Sequence, residues 1–234
     1  MASNTMDVIN AYVLTSGERG FLRETLESLL ALPTSSDWKI KVSLIANPVG
    51  EETRKVIEDF RSRLQAVVMH PRNLWVGGGF DEGMPPVLEP GHVILSEDDV
   101  RHRLPLHEYA EILMGDPTLG AVSGQMSPEH PHFDQKVVNG RALHYKWVER
   151  GQCMAFRSED LQAMRPFPRG SLPGVSLDNW VFRVSPKSCQ KMGRPVAVVP
   201  GGVIHTGCDA STWQGCTPEY SIEFLNAISM SVSD

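Results

Sequence analysis

Apolar runs and amphipathic stretches alternate along the first hundred residues. "VINAYVLTS" is short, apolar and rich in β-branched residues, the pattern of a strand buried on both faces. Leu22, Leu26, Leu29 and Leu30 then recur at the spacing of one helical face. "KVSLIAN" reads as a second strand. Val56, Ile57, Phe60 and Leu64 mark another helical face, with Glu51 and Glu52 in its first turn, where the helix dipole favours acids. "AVVMH" and "HVILS" are a third and a fourth strand. This alternation predicts βαβ units, hence an α/β fold with a central, mostly parallel sheet flanked by helices. In such sheets ligands sit beyond the carboxyl ends of the strands.

After residue 104 the pattern loosens. "LHEYAEILM" predicts a helix and "GAVSG" a short strand, while "SPEHPHFDQKVVNGRALHYKW" is a long polar-to-aromatic excursion. "QCMAFR" reads as a strand, followed by a helix over "SEDLQAM" with Ser158 as its N-cap. "VAVVP" and "VIHTG" are late strands. "TPEYSIEFLNAI" predicts a closing helix, with Thr217 as cap and Pro218 at its first position. Nothing resembles a linker, so a single domain over 1–234 is expected.

Composition narrows the function classes. A net charge of -6 argues against a protein that grips nucleic acid along its phosphates. No apolar run approaches the roughly 20 residues of a membrane span, and "MASNTMDVIN" lacks a signal-peptide pattern, so a cytoplasmic protein is expected. Cys153, Cys189, Cys208 and Cys216 form no CxxC pair. A zinc site from Cys208, Cys216 and His205 lacks the usual ligand spacing, and reduced thiols are the better reading.

Four stretches could carry chemistry. "ILSEDDVRHR" ends a strand in Glu97, Asp98 and Asp99. Such carboxylates are hard oxygen ligands for Mg²⁺ or Mn²⁺; alternatively they form an exposed acidic turn balanced by Arg101 and Arg103. "GGVIHTG" places His205 at the end of another strand, where a lone histidine is usually structural. "NLWVGGGFDEGM" has three successive glycines after the third strand, suggesting a loop facing phosphate or sugar, although it is neither a P-loop nor a GxGxxG fingerprint. "SLDNW" puts Asp178 in an apolar setting, as a general base or as a helix cap.

Taken in order, these stretches resemble the GT-A glycosyltransferases, particularly the inverting family 2. "YVLTSGERGFLRETLESLLAL" resembles the family's opening strand, loop and helix, and "SLIANPVGEET" its second-strand acidic turn. "NLWVGGGFDEGM" resembles the N-x-G-x-x-x-G-N-x-G segment, and "ILSEDDV" takes the place of the metal-binding DxD. "GQCMAFRSEDLQAM" resembles the acceptor-side stretch, "SLDNW" the ED pair with the base, and "VIHTG" the late metal histidine. The set covers most of the chain. Asn47 stands where an aspartate often binds the base, Trp75 and Asp81 replace a Gly and an Asn, Pro85 and Pro86 interrupt an expected helix, and Leu177 replaces the Glu of the ED pair.

The resemblance implies a metal-dependent transferase that moves a sugar from a UDP- or GDP-sugar to an acceptor hydroxyl with inversion. It implies a nucleotide-sugar half over 1–103 and an acceptor and catalytic half over 104–234. Asp99 and His205 would hold Mn²⁺ or Mg²⁺, and Asp178 would be the base. Thr15, Ser16, Arg19, Asn47, Asn73, Gly78, Gly79, Asp81, Glu97 and Asp98 would contact the donor. His144, Tyr145, Trp147 and Trp180 would face the acceptor, with core packing open for Trp147. A retaining transferase and a non-catalytic nucleotide- or sugar-binding protein on the same fold remain open alternatives. The acceptor and any homo-oligomer stay undefined, and a nucleotidyltransferase is set aside for want of its glycine-rich first loop.

Overall fold

The computed structural model describes residues 7–16, 20–125, 131–149, 151–168 and 176–206. Arg19, Cys208, Cys216 and the expected helix at 217–228 lie outside the described residues. The four apolar runs of the front half become β1 (Asp7–Thr15), β2 (Trp38–Ala46), β3 (Ala66–Met69) and β4 (His92–Glu97), paired in parallel in the order β3-β2-β1-β4. The connecting helices are α1 (Leu22–Leu30), α2 (Glu51–Phe60) and α3 (Trp75–Gly83). β5 (Val100–His102), α4 (Leu106–Gly115), β6 (Ala121–Ser123), β7 (Asp134–Val138) and β8 (Arg141–Lys146) follow. β9 (Cys153–Arg157), α5 (Ser158–Met164), α6 (Leu177–Asn179), β10 (Val196–Val198) and β11 (Val203–His205) complete the described elements, with a π turn at Trp180–Val184 continuing α6.

The sheet has nine strands in the order β3-β2-β1-β4-β9-β6-β10-β8-β7. β8 and β9 oppose the rest, so seven strands point one way. The strand periodicity of two divides the core into two layers. On β1, Ile9, Ala11 and Val13 pack with Leu26, Ile57, Phe60 and Tyr109 on one face. Tyr12 and Leu14 pack with Ile45, Phe80, Phe156 and Phe182 on the other. Helices covering both faces explain why the central strands are apolar runs rather than alternating ones. None of the described helices is long and apolar enough to cross a membrane.

Three expectations need correction. The glycine-rich segment is not a loop: residues 75–83 form α3, and its glycines let the helix sit close on the sheet. A Cβ at Gly79 would come within 2.8 Å of Leu14 Cδ1, and one at Gly83 within 2.6 Å of Ile45 Cγ2. The long excursion before β9 contains a hairpin, β7–β8, turned by Asn139 and Gly140 at φ of 50° and 77°. Two successive positive φ values are those of a type I′ turn, for which Asn-Gly is the favoured pair. Ser158 is the first residue of α5 rather than its cap; Arg157 holds the cap position in extended conformation.

Candidate active site

The carboxyl ends of β2, β1 and β4 form a ledge, and its acidic end is built by main-chain anchoring. Beyond β4 the chain turns through Asp98 and Asp99 into β5, which pairs antiparallel with β11. That small sheet sets His205 opposite Val100, so His205 Nε2 lies 2.9 Å from Asp99 Oδ2, across 106 residues of sequence. Asp99 is almost fully buried. Its carbonyl accepts from both the N–H and the hydroxyl of Thr206, each at 2.8 Å. The Asp98 carbonyl accepts from the Thr25 hydroxyl at 2.7 Å, and the Thr15 hydroxyl donates to Asp98 Oδ2. Behind the acids, His102 Nε2 lies 3.0 Å from Ser96 Oγ, and burial pushes the imidazole pKa down to about 4.

Among the described residues, no group of three or more His, Cys, Asp or Glu is arranged as a complete metal cage. A carboxylate oxygen and an imidazole nitrogen 2.9 Å apart are nevertheless a donor pair suited to Mn²⁺. Hard divalent cations commonly take one or two protein ligands and fill the remaining positions with phosphate and water.

The other end of the ledge is held by amides. The Asn47 N–H donates to Thr15 O at 2.9 Å, tying β2 to β1. Asn47 Oδ1 accepts from the Leu74 N–H at 3.1 Å, and its Nδ2 donates to Trp75 O at 3.4 Å. Asn73 Oδ1 accepts from the Trp75 N–H at 2.8 Å. Trp75, thus fixed, has φ of 60° and is 61% exposed. Ser16 is half-buried beside Thr15.

Asp178 reaches the ledge from the other half. The Glu97 N–H donates to Gln152 O at 2.9 Å, and at the adjacent Gly151 a Cβ would sit 3.0 Å from Asp178 Cβ. Asp178 Oδ1 also accepts from the Asn179 N–H at 2.9 Å, while Asn179 Nδ2 donates to Ser176 Oγ, so Asp178 lies in the first turn of α6 without capping it. Trp147 is four residues before Gly151, and its ring stacks on Phe133 with centroids 4.9 Å apart; both are substantially exposed. The buried Lys146 Nζ to Glu149 Oε2 pair, at 2.5 Å, brackets Trp147. Phe133 went unnoticed in the sequence; its separation from Trp147 conceals a pairing that only the hairpin creates.

Several expected contacts are differently employed. Tyr145 is fully buried, its hydroxyl donating to Asp116 Oδ2 at 2.7 Å, so it presents no surface to an acceptor. Its neighbour His144 points the other way, as strand alternation requires, and packs edge-on against His132. Trp180 Nε1 donates to Met164 O at 2.8 Å, and its ring packs against the second core layer. Thr15 is fully buried and meets Asp98 rather than open space. Gly78 and Gly79 are buried within α3, and Asp81 is paired with Arg165 Nε at 2.9 Å, none of them lining an open loop. Arg101 pairs with Glu24 on α1 instead of neutralising the acidic turn. Burial raises the Cys153 and Cys189 thiols to about 12, which suppresses thiolate chemistry at both.

No family model matches the sequence, and no curated protein sequence matches it. Solved structures do match. A mannosyltransferase from Pyrobaculum calidifontis, in complex with GDP-Man and Mn²⁺, superposes with a TM-score of 0.64 at 15% identity, covering 97% of this chain and 64% of that one. A TarS fragment from S. aureus, in complex with UDP-GlcNAc, gives 0.61 at 14% identity, covering 95% and 65%. Glucosyl-3-phosphoglycerate synthase from Mycobacterium tuberculosis, with Mn²⁺, UDP and glucosyl-3-phosphoglycerate, gives 0.59 at 12% identity, covering 96% and 79%. The chain spans less than two thirds of the mannosyltransferase and of the TarS fragment, and only 39% of a longer TarS chain; its fold is that of the GT-A glycosyltransferases.

Proposed function

We propose that this chain is a glycosyltransferase that moves a sugar from a nucleoside-diphosphate sugar to an acceptor hydroxyl with inversion. The observation that carries the reading is the convergence of Asp99 and His205, 106 residues apart, at the carboxyl end of a central strand. Similarity in fold to proteins solved with GDP-Man, UDP-GlcNAc or UDP supports it.

In this reading Asp99 and His205 hold a divalent cation, Mn²⁺ or Mg²⁺, which when bound supplies Lewis-acid stabilisation of the departing diphosphate. Glu97 and Asp98 face the donor's ribose and sugar hydroxyls, with Asp98 oriented by Thr15. Asp178 accepts the acceptor hydroxyl proton as that oxygen bonds to the anomeric carbon, and the bond to the diphosphate breaks on the opposite face. Trp147, with Phe133 stacked on it, offers an aromatic surface on the acceptor side.

The test is ligand-dependent stability followed by transfer. With Mn²⁺ present, a UDP-sugar or a GDP-sugar is expected to raise the unfolding midpoint, because it binds only the folded state. Transfer measured with that donor is expected to fall about 10²- to 10⁴-fold in Asp178→Asn, the usual worth of a general base. Donor binding that persists without any transfer or hydrolysis in the wild type would favour a non-catalytic binding protein instead.

A further inference from the structure

Among the described residues, Trp75 is the most exposed Phe, Tyr or Trp side chain, and its backbone is in the left-handed region at φ of 60°. A bulky residue there is a true outlier. Its conformation is maintained from both sides: Asn73 accepts its N–H, and Asn47 donates to its carbonyl while accepting the N–H of Leu74. Asn47 itself is 3% exposed. Both ends of its carboxamide are therefore engaged by main chain, Oδ1 by the Leu74 N–H and Nδ2 by the Trp75 carbonyl. The fold spends two side chains to keep an apolar ring in water, at a cost in backbone strain that packing does not repay.

Position suggests what the ring is for. Trp75 is bonded to the end of β2 through Asn47, and the acids stand at the end of β4. Those strands flank β1, so the two strand ends are two strand spacings apart, about 10 Å. A nucleoside diphosphate bound with its phosphates at Asp99 spans that distance and carries its base to Trp75. We infer that Trp75 is the surface on which the donor's nucleobase stacks. Base recognition at this end then rests on a π-face rather than on a side-chain carboxylate or carboxamide reading the base edge. Stacking is sequence-tolerant because every base has a π-face, so uracil and guanine are held with similar strength.

The inference rests on the transferase reading, and one titration separates the two. UDP, GDP and inorganic pyrophosphate are each titrated, with Mn²⁺, against the full chain, Trp75→Ala and Trp75→Phe. Trp75→Ala is expected to weaken UDP and GDP alike by about 5- to 100-fold, the worth of a base–aromatic stack, and to leave pyrophosphate unchanged. Trp75→Phe, which keeps a flat ring, is expected to stay within about 3-fold of the full chain by the same principle. Nucleotide affinities unchanged in Trp75→Ala, or a pyrophosphate loss as large as the nucleotide loss, would overturn the stacking role and leave the transferase reading standing. Failure of the full chain to bind either nucleotide would overturn both.

Discussion

The two ends of the ledge are held by opposite means. At the acidic end, hydroxyls and amides fasten the main chain: Thr25 and Thr206 occupy the carbonyls of Asp98 and Asp99, which fixes where those carboxylates begin. At the Trp75 end, polar side chains fasten the main chain in order to present a ring that is itself apolar. The first arrangement aims charge, whose effect falls steeply with misplacement. The second presents area, for which a small displacement matters less. The acidic end should therefore govern turnover, and the Trp75 end should govern donor affinity.

The largest expected effect tests the acidic end. Asp99→Ala should lower kcat by about 10²- to 10³-fold, the scale of losing one preorganised group that stabilises transition-state charge. In the same variant, Mn²⁺ should no longer enhance nucleotide-induced thermal stabilisation. A loss confined to donor KM would erase the distinction between the ends.

A second effect lies behind the acids and is one of stability. The His102 imidazole has a native pKa of about 4 against an ordinary 6.5, because burial disfavours its charged form. Between those values the unfolded chain takes up a proton that the native chain does not. Stability is thus fully present above pH 6.5 and is lost as pH falls toward 4. Urea unfolding should show about 2 kcal/mol less stability at pH 5 than at pH 7 from this group. His102→Gln should flatten the slope by that amount; an unchanged slope would remove His102 as its source.

The smallest effect sharpens the other end. Asn47→Ala strips the Leu74 N–H of its side-chain acceptor, and stability should fall by about 1 kcal/mol. Donor KM should rise about 10-fold with kcat within about 2-fold, the signature of lost uniform binding. An equal fall in kcat would mean that the ends act as one unit.

The front half was legible because its strands and helices obey strong periodicities. Leu22, Leu26 and Leu29 are buried as their spacing requires, and the four apolar runs pair as a parallel ladder. Glycine was the ambiguous letter. Three in a row suggest a loop, and only the proximity of Leu14 and Ile45 shows a helix lying close on a sheet. The β7–β8 hairpin did carry a local signal, Asn139-Gly140, within a stretch otherwise too polar to suggest strands. Without that hairpin the inward direction of Tyr145 and the Phe133–Trp147 stack could not be inferred. The partners of Thr15, Asn47 and Arg101 depend on tertiary neighbours, which no spacing along the chain encodes.

The strand that delivers His205 also sets an order of events during synthesis. When the chain has emerged through β9, the neighbours β1, β4, β9 and β6 all exist, and the middle of the sheet can assemble. The partner of β5 does not yet exist, because β11 is nearly fifty residues further on. A chain terminated between β10 and β11 therefore contains every strand of the nine-stranded sheet while Asp99 lacks His205. Pairing of β5 with β11 marks the moment at which the acidic end of the ledge is complete, so a ligand that needs both residues would distinguish finished molecules from such fragments.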